Sequence, residues 1–306
     1  MNQKNLVARS SLCVIASAIF FSTYGVWSKI MMGYFGEFSQ AWTRALLLLI
    51  ILVPIGIMRK SFQTIRKQDI PWFLIISLSG GLNQAPYFYG FEHLSVGTAT
   101  LLFYLMLTIG TFIIGALFFH EKFTSEKYIS LGLSVVGLGI LYKFSLSPSQ
   151  ILPAISTMAA GFMGASGVVF SKKLSSRYSE TQILTSLFIV MLLSNGILSI
   201  LFKEQVPLLT FTAPWFAQFG YTGALVIANS FAILGFKYLE PSVGGILGLL
   251  EVVFAAVLGV VLFQENVTPQ LFLGSICIIF AAAYVDLSSF IKHTFDREYP
   301  PDYTHI

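Results

Sequence analysis

The sequence predicts an all-α integral membrane protein: ten transmembrane helices built as two five-helix repeats of inverted topology. Three observations predict it. Apolar runs of membrane-spanning length succeed one another through the chain. Positive charge alternates between the two faces such spans define. Short motifs of the first half return in the second.

Of the 306 residues, 56% are apolar and 10% charged, and the mean hydropathy is +0.79. Soluble proteins carry about 25% charged residues. So few charges cannot cover a folded surface in water, which excludes a water-soluble enzyme. A net charge of +4 is too small to make nucleic acid a partner.

The runs lie at 11–31, 38–58, 71–90, 95–119, 127–143, 151–171, 181–202, 214–236, 241–263 and 268–290. Each is near the roughly 20 residues a helix needs to cross about 30 Å of hydrocarbon. Helix is the default at that depth, because lipid offers backbone N–H and C=O groups no partner. The longest connection, Arg59 to Ile70, has a dozen residues and hides no soluble domain. Lys4, Arg9 and Ala16-Ser17-Ala18 look like a cleavable signal peptide, but the apolar run continues to Met32 and reads as a span.

With the N-terminus inside, fourteen of the eighteen Lys and Arg fall on the cytoplasmic side, among them Arg59, Lys60, Lys122, Lys172, Lys173 and Arg297. The opposite face holds Lys29, Lys143 and Lys203, and Arg44 sits within the second span. Both termini are therefore expected in the cytoplasm, in a cell (inner) membrane. Residues 291–306 form a polar cytoplasmic tail, to which the sequence assigns no role.

The repeat is legible in short matches. Gly90-Phe91-Glu92-His93-Leu94 and Ser95-Val96-Gly97 return as Gly235-Phe236-Lys237-Tyr238-Leu239 and Ser242-Val243-Gly244. Glu121 to Thr124 returns as Glu265 to Thr268, and Ser28-Lys29 as Ser171-Lys172. The copies are expected at 11–143 and 151–290. Five spans per copy is odd, so the two cross the membrane in opposite directions, an architecture recurrent in secondary transporters with the substrate near the midplane.

These residues resemble the EamA-type branch of the drug/metabolite transporter superfamily. The likeness rests on Phe20 to Lys29, Trp42-Thr43-Arg44 and Glu121 to Thr124, then Leu250-Glu251 and Glu265 to Thr268, in order and doubled. It covers about residues 11 to 290 and implies export or uptake of small metabolites. The family often has Pro in the fourth and ninth spans. Here Thr108 and Val252 stand there, which removes a usual cause of a helix kink.

Glu251 is the most informative candidate, eleven residues into its span. An acid at that depth costs about 2.5–3.5 kcal/mol, so it should face the bundle interior or water. It reads as a counter-ion for a substrate amine or as a carboxyl for proton coupling; the bland alternative is a packing hydrogen bond. Its repeat mate is Leu107, so the fold unit itself does not need the charge. Arg44 suits a substrate carboxylate or phosphate, against snorkelling to the interface. Asn83, beside Pro86, and Asn229 in the matching span form a doubled polar feature able to line a cavity. Tyr24, Tyr87 and Tyr104 are the aromatic candidates for stacking or for holding an ammonium.

Glu121 and Glu265 end their spans ahead of Thr124 and Thr268, which suit helix N-caps, and read as loop-fixing residues. Lys29 and Lys172 read as interface anchors, Lys29 being the better site candidate of the two. Asn195 reads as a helix-pairing amide. Cys13 and Cys277 lie in apolar runs, and the four histidines are scattered, so no metal and no cofactor is expected.

The function expected is a secondary transporter, not an enzyme. It moves a small polar metabolite, such as an amino acid or related amine-bearing compound, by alternating access, with proton coupling through Glu251 as a sub-hypothesis. The alternatives are a flippase for a lipid-linked intermediate and an integral membrane enzyme built on His120, Glu121 and Glu126. The expected partners are a small-molecule substrate and the lipid bilayer, with no nucleic acid, and a homodimer is compatible with the sequence.

Overall fold

The computed structural model describes residues 3–31, 33–142, 146–205 and 208–295, with side chains from residue 5 to residue 288. Lys143, Arg297 and the tail from 296 onward lie outside the described residues. Thirteen α-helices follow in order among those residues: α1 (Gln3–Ser22), α2 (Tyr24–Met31), α3 (Glu37–Met58), α4 (Ile70–Leu82), α5 (Gln84–His93), α6 (Val96–Phe119), α7 (Ser125–Leu141), α8 (Ile151–Leu174), α9 (Glu180–Leu201), α10 (Ala213–Phe236), α11 (Pro241–Gly248), α12 (Leu250–Phe263) and α13 (Pro269–Phe295). Eight stretches are long and apolar enough to cross a membrane, with α1–α2 and α11–α12 each counting as one. The α4–α5 pair and α7, of 17 residues, occupy the other two predicted positions but fall short of that measure.

Three of the predicted spans are not continuous helices. They break at Thr23, Asn83 and Leu249. The middle break stands three residues ahead of Pro86, whose ring cannot sit in a continuing helix without loss of a hydrogen bond. The last falls after Gly248, a weak helix former, with Leu249 N–H donating to Ile246 O and Val252 N–H to Leu249 O in tight turns. A break thus occurs in this span although Val252 replaces the family's proline. Sequence reading, which took every span as one helix, missed it.

The doubling is visible in the backbone. Helices α3 and α9 have 22 residues each, and α6, of 24 residues, matches the α11–α12 stretch Pro241–Phe263, of 23. Among the described residues, the four non-glycine residues with positive φ fall in two pairs: Lys60 and Lys203 at 50° and 53°, His120 and Gln264 at 50° and 55°. A left-handed residue with a Cβ costs roughly 1–2 kcal/mol. Its recurrence at the same two helix ends in each half marks a shared local solution for stopping the helix.

Packing is largely between halves. Helix α1 lies on α10, α11 and α12, and its mate α8 lies on α4, α5 and α6; α3 pairs with α9 and α7 with α13. Glycine permits the closest approaches. A Cβ on Gly161 of α8 would stand 2.3 Å from the Phe103 carbonyl of α6. The mates run in opposite directions. The start of α8 is tied to the end of α5, where Gln150 Nε2 donates to His93 O (2.9 Å), and its end to the α10–α11 link, where Lys172 Nζ donates to Leu239 O (2.6 Å). By contrast α1 starts against the end of α10, with Ser10 and Val14 touching Gly235.

Polar clasps fix the connections. Glu204, after α9, caps α3 by accepting from Phe38 N (3.0 Å) and Ser39 N (2.5 Å), an anion placed at a helix N-terminus. At the other end Asp69 accepts from Arg177 Nη1 and Tyr178 Oη, both at 2.7 Å. Burial pushes the Asp69 carboxyl up, but the bonds from Tyr178 and Arg177, with the Arg177 and Arg66 charges, outweigh it and hold it below the usual carboxylate range.

Candidate functional site

Helices of both halves enclose a cavity of about 220 Å³. Its polar wall comes from α3 (Arg44), the α4–α5 break (Asn83, Gln84), α6 (Tyr104), α10 (Tyr221, Asn229) and the first turn of α12 (Glu251). Phe21, Ile76, Phe103, Leu107, Phe188 and Met191 supply much of the apolar remainder. Two of the three helix breaks therefore open onto this space, where irregular backbone at membrane depth is tolerated. A larger open cleft of about 730 Å³ lies between α7, α11 and α13 near Glu126 and Glu240. It is a groove at one end of the bundle, whereas the smaller cavity holds Arg44 and Glu251.

Glu251 is half-buried and accepts a hydrogen bond from Tyr104 Oη at 2.7 Å. Arg44 is only 1% exposed. Its guanidinium lies 4.0 Å from the centre of the Tyr221 ring, and that ring meets Tyr24 at 5.3 Å. The stretch around Arg44 is pinned by Gln218 of α10, whose Nε2 donates to Thr43 Oγ1 (2.6 Å) and Gln40 O (2.7 Å). Asn229 Nδ2 donates to Leu225 O one turn earlier (2.9 Å), and the buried Oδ1 of Asn83 has no partner.

Of the seven residues expected at the site, Arg44, Asn83, Tyr104, Asn229 and Glu251 line this one cavity. Tyr24 and Tyr87 stand behind it, Tyr24 against Tyr221 and Tyr87 stacked on Phe103 at 4.2 Å. Arg44 does not snorkel; its head is buried inside the bundle. Lys29 is not on the cavity wall but lies over the Phe263 ring at 3.8 Å. Asn195 joins α9 to α4 through Gly81 O (3.2 Å). Sequence reading missed Tyr221 and Phe103. Tyr221 was within reach, because it, Leu225 and Asn229 recur every four residues and so share a helix face.

The two ends of the bundle differ. Glu121 accepts from Lys127 Nζ (2.6 Å), from Ser242 N (3.2 Å) and, in a short contact, from Ser242 Oγ; Lys127 also meets Glu240 at 2.8 Å. The side chains of Glu121 and Lys127 are 2% and 5% exposed. At the far end of α12 Glu265, the mate of Glu121, meets Lys29, the mate of Lys172, at 4.0 Å, and the two side chains are 60% and 49% exposed. Ser95, the mate of Ser242, instead caps its own helix through Thr98 N (3.2 Å). Of the two predicted threonine caps, Thr268 accepts from Leu271 N (3.1 Å), whereas Thr124 holds the N-cap position without a side-chain bond.

A helical membrane protein with two interleaved halves and a charged cavity between them belongs to the class of membrane transporters. The EamA-like transporter family matches residues 8–143 and 151–285, and the chain belongs to that family. No curated protein matches it. A solved crystal structure shares the fold at a TM-score of 0.80, over 92% of this chain and 97% of that one, with 16% identity.

Proposed function

We propose that the protein is a secondary transporter that moves a small polar, amine-bearing metabolite, such as an amino acid, through the central cavity by alternating access. The observation that carries this is Glu251: a mid-span carboxylate on the wall of the cavity between the repeats, held by Tyr104 Oη at 2.7 Å. A carboxylate at that depth is expensive and needs a use. It serves as the counter-ion of the substrate ammonium, and the same carboxyl carries the coupling proton when the substrate has left. A cavity of about 220 Å³ accommodates one small metabolite, below the roughly 300–1,000 Å³ of drug-sized sites.

The architecture under this reading is ten spans in two five-helix units, 11–143 and 151–290, with 291–306 as a tail. They lie in the cell membrane with both termini cytoplasmic. The end that holds Glu121 is then the cytoplasmic one, since most of the cations gather there. Its tight Glu121–Lys127–Ser242 clasp and the loose Glu265–Lys29 pair support a conformation closed inside and loosened outside. Exchange of the two arrangements, with Glu265 moving onto the N-terminus of α6 at Ser95, gives the other half of the cycle.

The test is thermal stabilisation of purified protein by a panel of amino acids, amines, nucleotides and sugar phosphates. A ligand at 100 times its Kd stabilises by about 2.7 kcal/mol. The expected hit is an amine-bearing compound whose effect disappears in Glu251→Gln. Loss of pH-dependent transport in the same variant supports proton coupling, and an unchanged pH profile overturns it. A panel without hits, on protein that melts cooperatively, overturns the small polar substrate and favours a lipid-linked one.

A further inference from the structure

Arg44 is a buried cation left without an acceptor for two of its N–H groups. A guanidinium stays protonated inside proteins, and a buried charge without a partner costs several kcal/mol. Yet Nε and Nη1 of Arg44 are buried with no hydrogen-bond acceptor. The ion pairs found among the described residues use Lys29, Lys127 and Arg177, not Arg44. The face of Tyr221 at 4.0 Å returns part of the cost, but a ring face accepts no N–H bond in the plane of the guanidinium. The side chain borders the cavity, and Gln218 pins the turn it stands on.

Repeat symmetry sharpens the point. Arg44 corresponds to Leu187, and Glu251 to Leu107, and all four line the same cavity. The fold therefore tolerates leucine at either place, and each charge is an addition to one half only. One repeat contributes a cation and the other an anion.

We propose that Arg44 is the anion-binding pole of the cavity and takes a carboxylate of the substrate, so that the transported molecule is a zwitterion spanning Arg44 and Glu251. This rests on reading the cavity as the substrate site and Glu251 as the ammonium pole. The planar fork of the guanidinium matches a carboxylate, and the small cavity with its apolar walls fits an α-amino acid. The unpartnered N–H groups are completed only when the substrate is present. The empty cavity is thereby penalised, which favours movement of the loaded protein.

The experiment compares three matched series on wild-type protein by thermal shift titration: leucine and phenylalanine, the amines isopentylamine and phenethylamine, and the acids 4-methylpentanoate and 3-phenylpropionate. Leaving a buried charge unpaired costs about 2 kcal/mol or more, so the amines should bind at least about 30-fold more weakly than the amino acids. In Arg44→Gln the amino acids should fall to the affinity of the amines, while the amines keep theirs. Arg44→Lys, which keeps the charge but not the fork, should lie between and guards against misfolding of the first variant. Amines binding as tightly as amino acids would overturn the inference and leave the Glu251 reading standing. Acids binding as tightly as amino acids would support Arg44 and overturn Glu251 as the ammonium pole. Binding by none of the three series would overturn both. Phosphoethanolamine outcompeting β-alanine would overturn the carboxylate assignment.

Discussion

Replacing Glu121 by glutamine should cost far more stability than the same change at its repeat mate Glu265. The Glu121 carboxylate is buried and holds the Lys127 ammonium at 2.6 Å, together with the backbone and side chain of Ser242 at the start of α11. Removing one member of a buried pair costs about 3–5 kcal/mol, because the other charge is stranded. Lys127 keeps Glu240 at 2.8 Å and the Lys122 carbonyl at 3.0 Å, and the amide of glutamine still fills the site. The loss should therefore sit below that range, at about 2–3 kcal/mol. At the other end Glu265 meets Lys29 only at 4.0 Å, with both side chains about half exposed; such pairs contribute about 0–1 kcal/mol. Equilibrium unfolding in mixed micelles, by tryptophan fluorescence, measures both. A gap of about 2 kcal/mol between the mates is expected. Equal losses would refute the argument that the two ends are in different states.

Three further outcomes follow from the same geometry. The Asp69 carboxyl is held below its usual range in the folded protein, so its contribution is fully present above the unfolded value of about 4 and disappears as pH falls through the folded one. The stability difference between wild type and Asp69→Asn, followed by acid titration, should be constant near neutrality and vanish at low pH; a difference that grows with acid would contradict this. Gly161→Ala should destabilise by about 1–3 kcal/mol, since the new methyl meets the Phe103 carbonyl at 2.3 Å. Gly139→Ala, with open space around it, should gain about 0.5–1 kcal/mol of helix propensity. Thermal denaturation of both variants checks the pair, and a reversed order would contradict the close packing of α8 on α6.

Much of this was legible in the sequence because the bilayer imposes a strict length and polarity rule on each span. The predicted run at 38–58 is α3 at Glu37–Met58, and 214–236 is α10 at Ala213–Phe236. The repeat was readable from Glu121 and Glu265 and their flanks, since both halves must stop a helix in the same way. The breaks at Thr23 and Leu249 were not readable. Neither residue is a helix breaker by type. Arg44 was ambiguous for another reason. Its distance along the helix allowed snorkelling, and only the position of α10, which brings Tyr221 and Gln218 beside it, decides that the head stays inside. Tyr24 and Tyr87 have the right chemistry but support the wall from behind, a distinction of helix rotation that composition does not carry.

The central claim is that a small zwitterion crosses the membrane through the cavity between the repeats. Counterflow in proteoliposomes tests it most directly: vesicles loaded with unlabelled amino acid are diluted into the same compound carrying a radiolabel. The account predicts transient accumulation of label in wild-type vesicles, none in Glu251→Gln or Arg44→Gln vesicles, and none with the matched amines. Accumulation undiminished in both variants, or absent for every amino acid while the reconstituted protein melts cooperatively, would contradict it.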